Sequence, residues 1–191
     1  MRTVHLLLTL LGLSGLPLAG HAADHYQFDK THTQILFFVD HLGFSKSQGE
    51  FHDYDGGFSF DPADWSKSSL EVVIRTHSID MDDYRWDKHL RDADFFNVAE
   101  FPTMTFRSTE VERTGDKTGL VHGELTLLGT TKPLALELTF NKAGIHPKSK
   151  KFIAGFSARA TVKRSEFGMT YGLPMVGDDV EVRLEVEGIR Q

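Results

Sequence analysis

The side chains best suited to chemistry in this sequence are its histidines, and two of them accompany apolar segments. His41 ends the inward row Ile35, Phe37, Val39, and His89 lies in a predicted helix. An imidazole beside an apolar cavity can hydrogen-bond a diphosphate, quinone or amide head group. The alternative is an ordinary ring bonded to nearby backbone or carboxylate groups. The sequence favours the head-group role for His41 and the ordinary role for His89.

Three cations share one flank of the same predicted helix. Arg85, Lys88 and Arg91 are spaced three residues apart, which brings them together on a helix surface. They could meet a phosphate head group or an anionic membrane surface, so Arg85 and Arg91 join His41 and His89 as head-group candidates. Neighbouring carboxylates favour instead a solvated face of compensated charges; they belong to Asp82, Asp83, Asp87, Asp92 and Asp94.

The sequence predicts no metal, no cofactor and no catalytic residue. The run Asp53-Tyr54-Asp55-Gly56 lacks the later oxygen ligands of a calcium loop, and the histidines lack the spacing of zinc ligands. There is no cysteine, no Gly-x-Ser-x-Gly motif and no phosphate-binding glycine loop. An enzyme that acts through the two histidines named above stays as an alternative.

Length and composition predict one globular domain. The chain has 191 residues, of which 40% are hydrophobic and 25% charged, an ordinary globular mixture. Its net charge of −6 disfavours a nucleic-acid partner, because phosphate backbones attract basic surfaces. Without cysteine the domain relies on its core, and 15 Phe residues indicate a large apolar interior.

Residues 1–22 have the features of a secretory signal peptide. Arg2 supplies a positive start, residues 6–13 an apolar core, and Gly20-His21-Ala22 the small residues that a signal peptidase reads. We expect cleavage after Ala22 and export of one domain spanning residues 23–191. A membrane anchor is disfavoured because the apolar stretch falls short of the ~20 residues that a spanning helix needs.

From Thr31 onward, apolar and polar residues alternate in eight segments separated by turn residues, which predicts eight β-strands. Residues 48–60 are predicted as one long strand with a bend at Gly56-Gly57. The other strands are centred on residues 35–39, 70–74, 104–106, 121–127, 134–140, 152–162 and 180–187. The one helical candidate covers residues 83–92, which Asp82 or Asp83 can cap.

Eight antiparallel strands with one apolar face each make a barrel or a sandwich, and closure into a barrel removes exposed edges. The inward row of residues 152–162 includes Ala154, Ala158 and Ala160, which leave space on a core face. Either an apolar guest occupies that space or phenylalanines from opposite strands fill it. The sequence leaves these two alternatives open.

Four blocks of the chain form a recognisable pattern. They are residues 29–44 (DKTHTQILFFVDHLGF), the segments 78–80, 87–96 (DKHLRDADFF) and 101–106, residues 123–133 (GELTLLGTTKP), and the segments 164–169 and 176–180. Together they resemble the YceI-like family of exported lipid-binding proteins. The resemblance implies an all-β fold, an eight-stranded antiparallel lipocalin-like barrel with one short helix near the opening. It also implies a polyisoprenoid or fatty-amide chain inside and a periplasmic location.

The match has one departure, at Trp86, where the family pattern often has Arg; here Arg85 precedes it. We predict that residues 80–97 form a lid over the opening. The predicted ligand-binding set joins inward strand residues to the apolar side chains of that lid. It consists of Ile35, Phe37, Val39, His41, Phe44, Leu70, Val72, Ile74, Trp86, His89, Leu90, Phe95, Phe96, Phe106, Leu125, Leu127, Ala154, Phe156 and Ala158.

These features predict an exported protein that holds a long apolar chain, such as a polyisoprenoid, a quinone or a fatty amide or acid. The alternatives are a lipid-modifying enzyme and a quinone-holding accessory of a membrane redox protein. Exchange of the lipid would need transient contact with a membrane. Leu36 and Phe38 face outward on the first predicted strand, and they predict an apolar stripe that forms a homodimer or packs against the helix.

Overall fold

Alternating apolar and polar residues run through most of the chain, and they form strands as period-two patterns do. The computed structural model describes residues 22–191; most of the predicted signal peptide lies outside the described residues. The strands are β1 (Asp24–Phe28), β2 (Gln34–His41), β3 (Ser45–Phe51), β4 (Tyr54–Phe60), β5 (Ser69–Arg75), β6 (Ile79–Asp80), β7 (Thr103–Arg113), β8 (Thr118–Leu127), β9 (Thr130–Ile145), β10 (Phe152–Lys163) and β11 (Val176–Arg190). The helix α1 spans Tyr84–Arg91, within the predicted range.

The long strand β11 closes the sheet into a barrel. One of its edges pairs with β10, and its other edge pairs first with β2 and then with β1. β3 pairs with β2 and β4 pairs with β1, so β3 and β4 together occupy the next strand position. β5 pairs with β4 and β6 pairs with β3, so β5 and β6 together occupy the position after that. Eight strand positions therefore surround one interior, and the predicted eight-stranded antiparallel barrel is confirmed.

Two strand predictions need correction. The short strand β1, which pairs with β11 and β4, was not among the predicted strands, because its five residues carry too little alternation to stand out. The predicted long strand over residues 48–60 is interrupted after Phe51, and not at Gly56-Gly57. Gly56 has a φ of 128° and lies against the Glu71 carbonyl of β5, so a side chain there would collide with the neighbouring strand.

Aromatic rings fill the end of the barrel where β10 begins and β11 ends. Tyr26 stacks on Phe58 with ring centroids 4.9 Å apart, and Phe156 meets Phe58 at 5.3 Å and Phe60 at 5.0 Å. Trp65 and Phe140 complete the cluster, which we call the aromatic plug. Edge-on and stacked rings pack densely, so this half of the barrel is solid.

At the opposite end the segment between β6 and β7 lies over the barrel. Asp83 caps α1 by accepting hydrogen bonds from the Arg85 and Trp86 backbone N–H groups. Asp87 accepts from the Met81 backbone N–H at 2.8 Å, and Arg91 donates to the Ile79 carbonyl at 2.7 Å. These bonds fasten α1 to β6.

No helix within residues 22–191 has both the length and the hydrophobicity that crossing a bilayer would need.

The junction between β1 and β2 is tied to β11 by side chains. His32 Nδ1 lies 2.9 Å from Asp29 Oδ2 and 4.0 Å from Glu187 Oε2. The Thr33 hydroxyl donates to the Glu187 carbonyl and accepts from the Glu187 backbone N–H, both at 3.1 Å. The hydrogen bond and charge of Asp29 raise the pKa of His32 above its usual 6.5.

We predict that Asp29→Asn returns the pKa of His32 to about its ordinary value, since the amide keeps a hydrogen-bonding group without the charge. The stabilisation from this pair is fully present between about pH 3.8 and pH 6.5, the ordinary pKa values of the two groups. It is lost as the pH rises through the raised pKa of His32, and also as the pH falls through the lowered pKa of Asp29. An NMR titration of the imidazole resonances measures the shift. An unchanged pKa in the variant would show that Asp29 is not its cause.

The aromatic plug makes a stability prediction. Phe156→Ala should lower the free energy of unfolding by about 3–5 kcal/mol, because it removes a buried ring that touches Phe58, Phe60 and Phe140. Urea denaturation measures the loss. Phe44→Ala is the control: its ring is 89% exposed, so the change should stay within about 0.5 kcal/mol. Equal losses in the two variants would contradict the packing described.

Candidate functional site

The half of the barrel beyond the aromatic plug contains a cavity of about 390 Å³. Its walls are alternate residues of the strands, whose intervening residues face outward. Most of the predicted strand residues line it: Ile35, Phe37, Val39, Leu70, Val72, Ile74, Phe106, Leu125 and Leu127. The cavity is thus an apolar, closed-bottomed space whose wall belongs to the rigid sheet.

The segment between β6 and β7 forms the roof of this cavity, as predicted for the lid. Trp86 and Leu90 reach the cavity from α1, and Phe95 and Phe96 reach it from the turns that follow. Phe96 meets Phe51 of β3 edge-on at 5.5 Å. Trp86 remains 46% exposed although it lines the cavity, which places the opening beside it.

Polar groups are concentrated near this opening. The His41 ring lies 6.4 Å from that of Trp86, centroid to centroid. His89 lies edge-on to Phe95 at 5.0 Å and to Tyr171 at 5.3 Å, and its Nε2 is 3.8 Å from a carboxylate oxygen of Asp94. Both imidazoles line the cavity, so the two histidine candidates meet at one place.

Four predicted wall residues lie outside the cavity. Phe44 is 89% exposed at the tip of the β2–β3 turn, because the chain reverses there and leaves the sheet. Phe156 belongs to the aromatic plug, and Ala154 lies beside it, because the Phe58 ring packs on its cross-strand partner Gly188. Ala158 pairs with the lining residue Leu184 but does not itself line the cavity. Ala154 therefore does not mark the hollow part of the barrel.

The two arginine candidates also lie outside the cavity lining. The Arg85 side chain is 85% exposed and pairs with Asp83 at 3.0 Å. Arg91 is engaged by the Ile79 carbonyl and lies 3.6 Å from Asp87, so it serves to hold α1 in place. Both arginines therefore lie beside aspartates, as in the alternative of a solvated face with compensated charges.

Sequence reasoning omitted about half of the lining. The inward rows of β9 and β11 were recognised as apolar faces, yet Leu134, Leu136, Val180, Val182, Leu184 and Val186 were not assigned to the site. Their alternation was the signal that could have placed them there. Arg164, Met169 and Tyr171 come from the irregular β10–β11 connection, where no periodic pattern marks an inward side chain.

Arg164 organises that connection. The residue is 3% exposed, and its guanidinium donates to four backbone carbonyls: Gly177 at 2.7 Å, and Met169, Tyr171 and Val176 at 2.9 Å each. Burial lowers the pKa of Arg164, and the nearby charge of Asp178 opposes that shift. The clamp fixes Tyr171 and Val176 in the cavity wall.

We predict that Arg164→Met lowers the free energy of unfolding by roughly 3 kcal/mol or more, because buried carbonyls lose charged donors. Arg164→Lys should lower the free energy of unfolding by less than Arg164→Met, because it keeps a charged donor, but its ammonium group cannot reproduce the planar geometry of the guanidinium. Urea denaturation gives the energies, and hydrogen exchange should show faster opening in residues 169–177 than in the sheet. A loss spread evenly over the barrel would argue against a local clamp.

One group of potential metal ligands lies away from the cavity. Among the described residues, Asp29, His32 and Glu187 are the only set of three or more such side chains with ligand atoms within 4.8 Å of one another. The hydrogen bond from His32 to Asp29 accounts for their proximity without an ion.

The outward residues Leu36 and Phe38 are half-buried. The Arg183 guanidinium lies over the Phe38 ring, 4.5 Å from its centroid. The apolar stripe is therefore partly covered within one copy of the chain, and a homodimer through this face stays a prediction.

Comparisons with known proteins agree with this architecture. A family model described as the YceI-like domain matches residues 26–188. A protein named UPF0312 from Pectobacterium atrosepticum is 43% identical over 188 residues, which are 97% of each chain. A protein of the same name from Pseudomonas aeruginosa is 42% identical over 181 residues, 93% of this chain and 94% of its own.

Solved structures show the same barrel. The YceI protein of Campylobacter jejuni is 31% identical, with a TM-score of 0.71 over 80% of this chain and 90% of its own. Burkholderia cenocepacia BcnA has a TM-score of 0.76 at 21% identity, over 84% and 98% of the two chains. A polyisoprenoid-binding domain of Saccharophagus degradans has a TM-score of 0.65 at 15% identity, over 88% and 99%. At these lower identities the likeness concerns the fold.

Proposed function

Because this chain belongs to the YceI-like family, we propose that it binds the apolar chain of an amphipathic lipid inside its barrel. The observation that carries the proposal is the cavity of about 390 Å³, which is apolar along its walls and lined toward the aromatic plug by Phe28, whose ring lies 6.2 Å from that of Phe58. Its volume lies within the roughly 300–1,000 Å³ typical of small-molecule sites. The fold relative from Saccharophagus degradans is described as a polyisoprenoid-binding domain, which adds support.

The energetics favour exchange with a membrane over exchange with water. Moving a lipid chain from water into an apolar site is worth about 0.8 kcal/mol per CH₂ group. A lipid that already lies in a bilayer gains little of this, so its transfer into the barrel is nearly neutral. Selection by length would then come from the depth of the cavity above the plug. Selection by head group would come from His41 and His89 at the opening.

Export to the periplasm is part of this proposal. It is supported by the signal-peptide features of residues 1–22. In an aqueous compartment between membranes, a lipid carrier would shield apolar chains whose exposure to water is unfavourable. Carriage or storage of a lipid follows as the role.

We favour binding over chemical conversion of the lipid. The His41 imidazole lies beside the Trp86 ring, and the His89 imidazole lies edge-on to the rings of Phe95 and Tyr171. The cavity wall otherwise consists mainly of aliphatic and aromatic groups. The two imidazoles are suited to hold a polar head group in place.

The test is to extract lipid from protein purified from its native compartment and to identify it by mass spectrometry. We expect about one lipid per protein in the unaltered chain. Val72→Trp should reduce this at least about tenfold, since Val72 lines the cavity and an indole would occupy its space. Glu71→Trp is the matched control, because the neighbouring side chain is exposed and should leave the lipid content unchanged.

The outcomes separate the alternatives. Absence of any lipid after gentle purification, or equal lipid in the two Trp variants, would contradict the proposal. A quinone mass would identify the accessory role in redox chemistry. If His41→Ala retained the lipid but accumulated it in an unconverted form, the protein would be an enzyme.

A further inference from the structure

Exposed apolar side chains are concentrated around the cavity opening. Seven large apolar side chains are exposed within residues 22–191, and only Ile145 lies at the plug end. The other six belong to the β2–β3 turn, α1 and the β10–β11 connection, which meet at the opening. We call these six the rim: Leu42, Phe44, Tyr84, Trp86, Tyr171 and Met175.

The tip of the rim occupies a backbone geometry that disfavours its own residue. Leu42 and Gly43 have φ values of 58° and 73°, and Phe44 N–H donates to the His41 carbonyl at 3.0 Å. His41 pairs with Ser45, so residues 42–44 connect the two strands, and the first two of them have the left-handed backbone conformation in which Asn, Asp or Gly is preferred. The Leu42 side chain is only about half covered within the chain, being 47% exposed. A polar residue would suit both the turn and water better, which indicates that Leu42 serves an external contact.

The rim is continuous with the cavity. Trp86 and Tyr171 line the cavity and are also 46% and 48% exposed. The Leu42 backbone N–H donates to the Met175 carbonyl at 2.8 Å, so the two tips stand side by side. Any lipid chain that enters the barrel must pass between these side chains. If the rim side chains were surrounded by water, the lipid chain would also be exposed to water as it passed between them.

Charges near the rim identify the kind of surface it fits. Most cations of this neighbourhood are paired: Arg85 with Asp83, Arg91 with Asp87, and Lys46 with Glu181. Within residues 22–191 Lys88 has no carboxylate close enough for an ion pair, so it is the cation left uncompensated there. Acidic groups are more numerous there, with further carboxylates on Asp40, Asp82 and Asp94. The whole chain carries a net charge of −6. This surface does not suit an anionic partner, and its apolar and aromatic groups suit the interface of an uncharged bilayer.

We propose that the rim inserts into the surface of a lipid bilayer, so that the cavity opens directly onto hydrocarbon. Leu42, Phe44 and Met175 enter the acyl region, and the amphipathic rings of Tyr84, Trp86 and Tyr171 lie at the interface. The purpose of this contact rests on the proposed function, since it lets a lipid exchange without crossing water. The contact itself can be measured on protein that carries no lipid.

The test is cosedimentation of the full exported chain with vesicles of phosphatidylcholine. The unaltered protein should bind, and binding should change little between low and high salt because it is apolar in origin. The double variant Leu42→Asn, Phe44→Ser should bind at least about tenfold more weakly. Ile145→Ser is the control: it removes an apolar group at the plug end whose exposure, 60%, lies between the 47% of Leu42 and the 89% of Phe44, and it should bind normally.

A stability measurement distinguishes this role from a structural one. Leu42→Asn alone should keep or raise the thermal unfolding midpoint, because Asn suits the turn, while vesicle binding falls. A drop in both would mean that Leu42 supports the fold, and would overturn the argument from the turn.

Further readouts separate this proposal from the proposed function. Binding of a fluorescent long-chain amide in the absence of vesicles should be equal in the double variant and the unaltered chain, because Leu42 and Phe44 do not line the cavity. Amide binding without vesicle binding would overturn the membrane contact and leave lipid binding intact. Vesicle binding without amide binding would contradict the proposed lipid binding and leave the membrane contact intact. A dimer that the double variant abolishes, without vesicle binding, would assign the rim to a second copy and overturn the proposal.

Discussion

Aromatic packing at one end of the barrel is the constraint on which the remaining structure depends. An eight-stranded barrel encloses an interior that must be filled by its own side chains or by a guest. The rings of Phe58, Phe60, Phe140 and Phe156 fill one half, with Tyr26 and Trp65 beside them. The other half contains the cavity, and the opening beside Trp86 is the route that we propose for a ligand.

The opening is built differently from the cavity wall, and the difference suits its role. The wall is formed by alternate residues of hydrogen-bonded strands, whereas the opening is formed by irregular segments held by side-chain bonds. Asp87 and Arg91 fasten α1 to β6, and Arg164 gathers four carbonyls of the β10–β11 connection. Polar anchors thus position apolar side chains that face outward. The opening is therefore held by interactions that are separate from the hydrogen bonds of the sheet.

Much of the fold follows from alternation along the chain, and some of the site does not. The eight strand positions and the helix were predicted, because period-two patterns and a capping Asp83 are local signals. The closing strand β1 was missed because it is short. Of the two alternatives that the sequence left open, filling by phenylalanine applies at Ala154, since Phe58 from another strand packs on its cross-strand partner Gly188. Small residues report local volume, but what fills that volume comes from across the barrel.

The sequence by itself determined the class of fold, the inward faces of the strands and the position of His41 at the end of an inward row. These properties depend on each strand's own alternation and on its turns. Only the tertiary structure decided which half of the barrel is empty, that Arg85 and Arg91 are held by the helix neighbourhood, and that exposed apolar groups surround the opening. Those properties arise from side chains of distant segments, which no local pattern pairs.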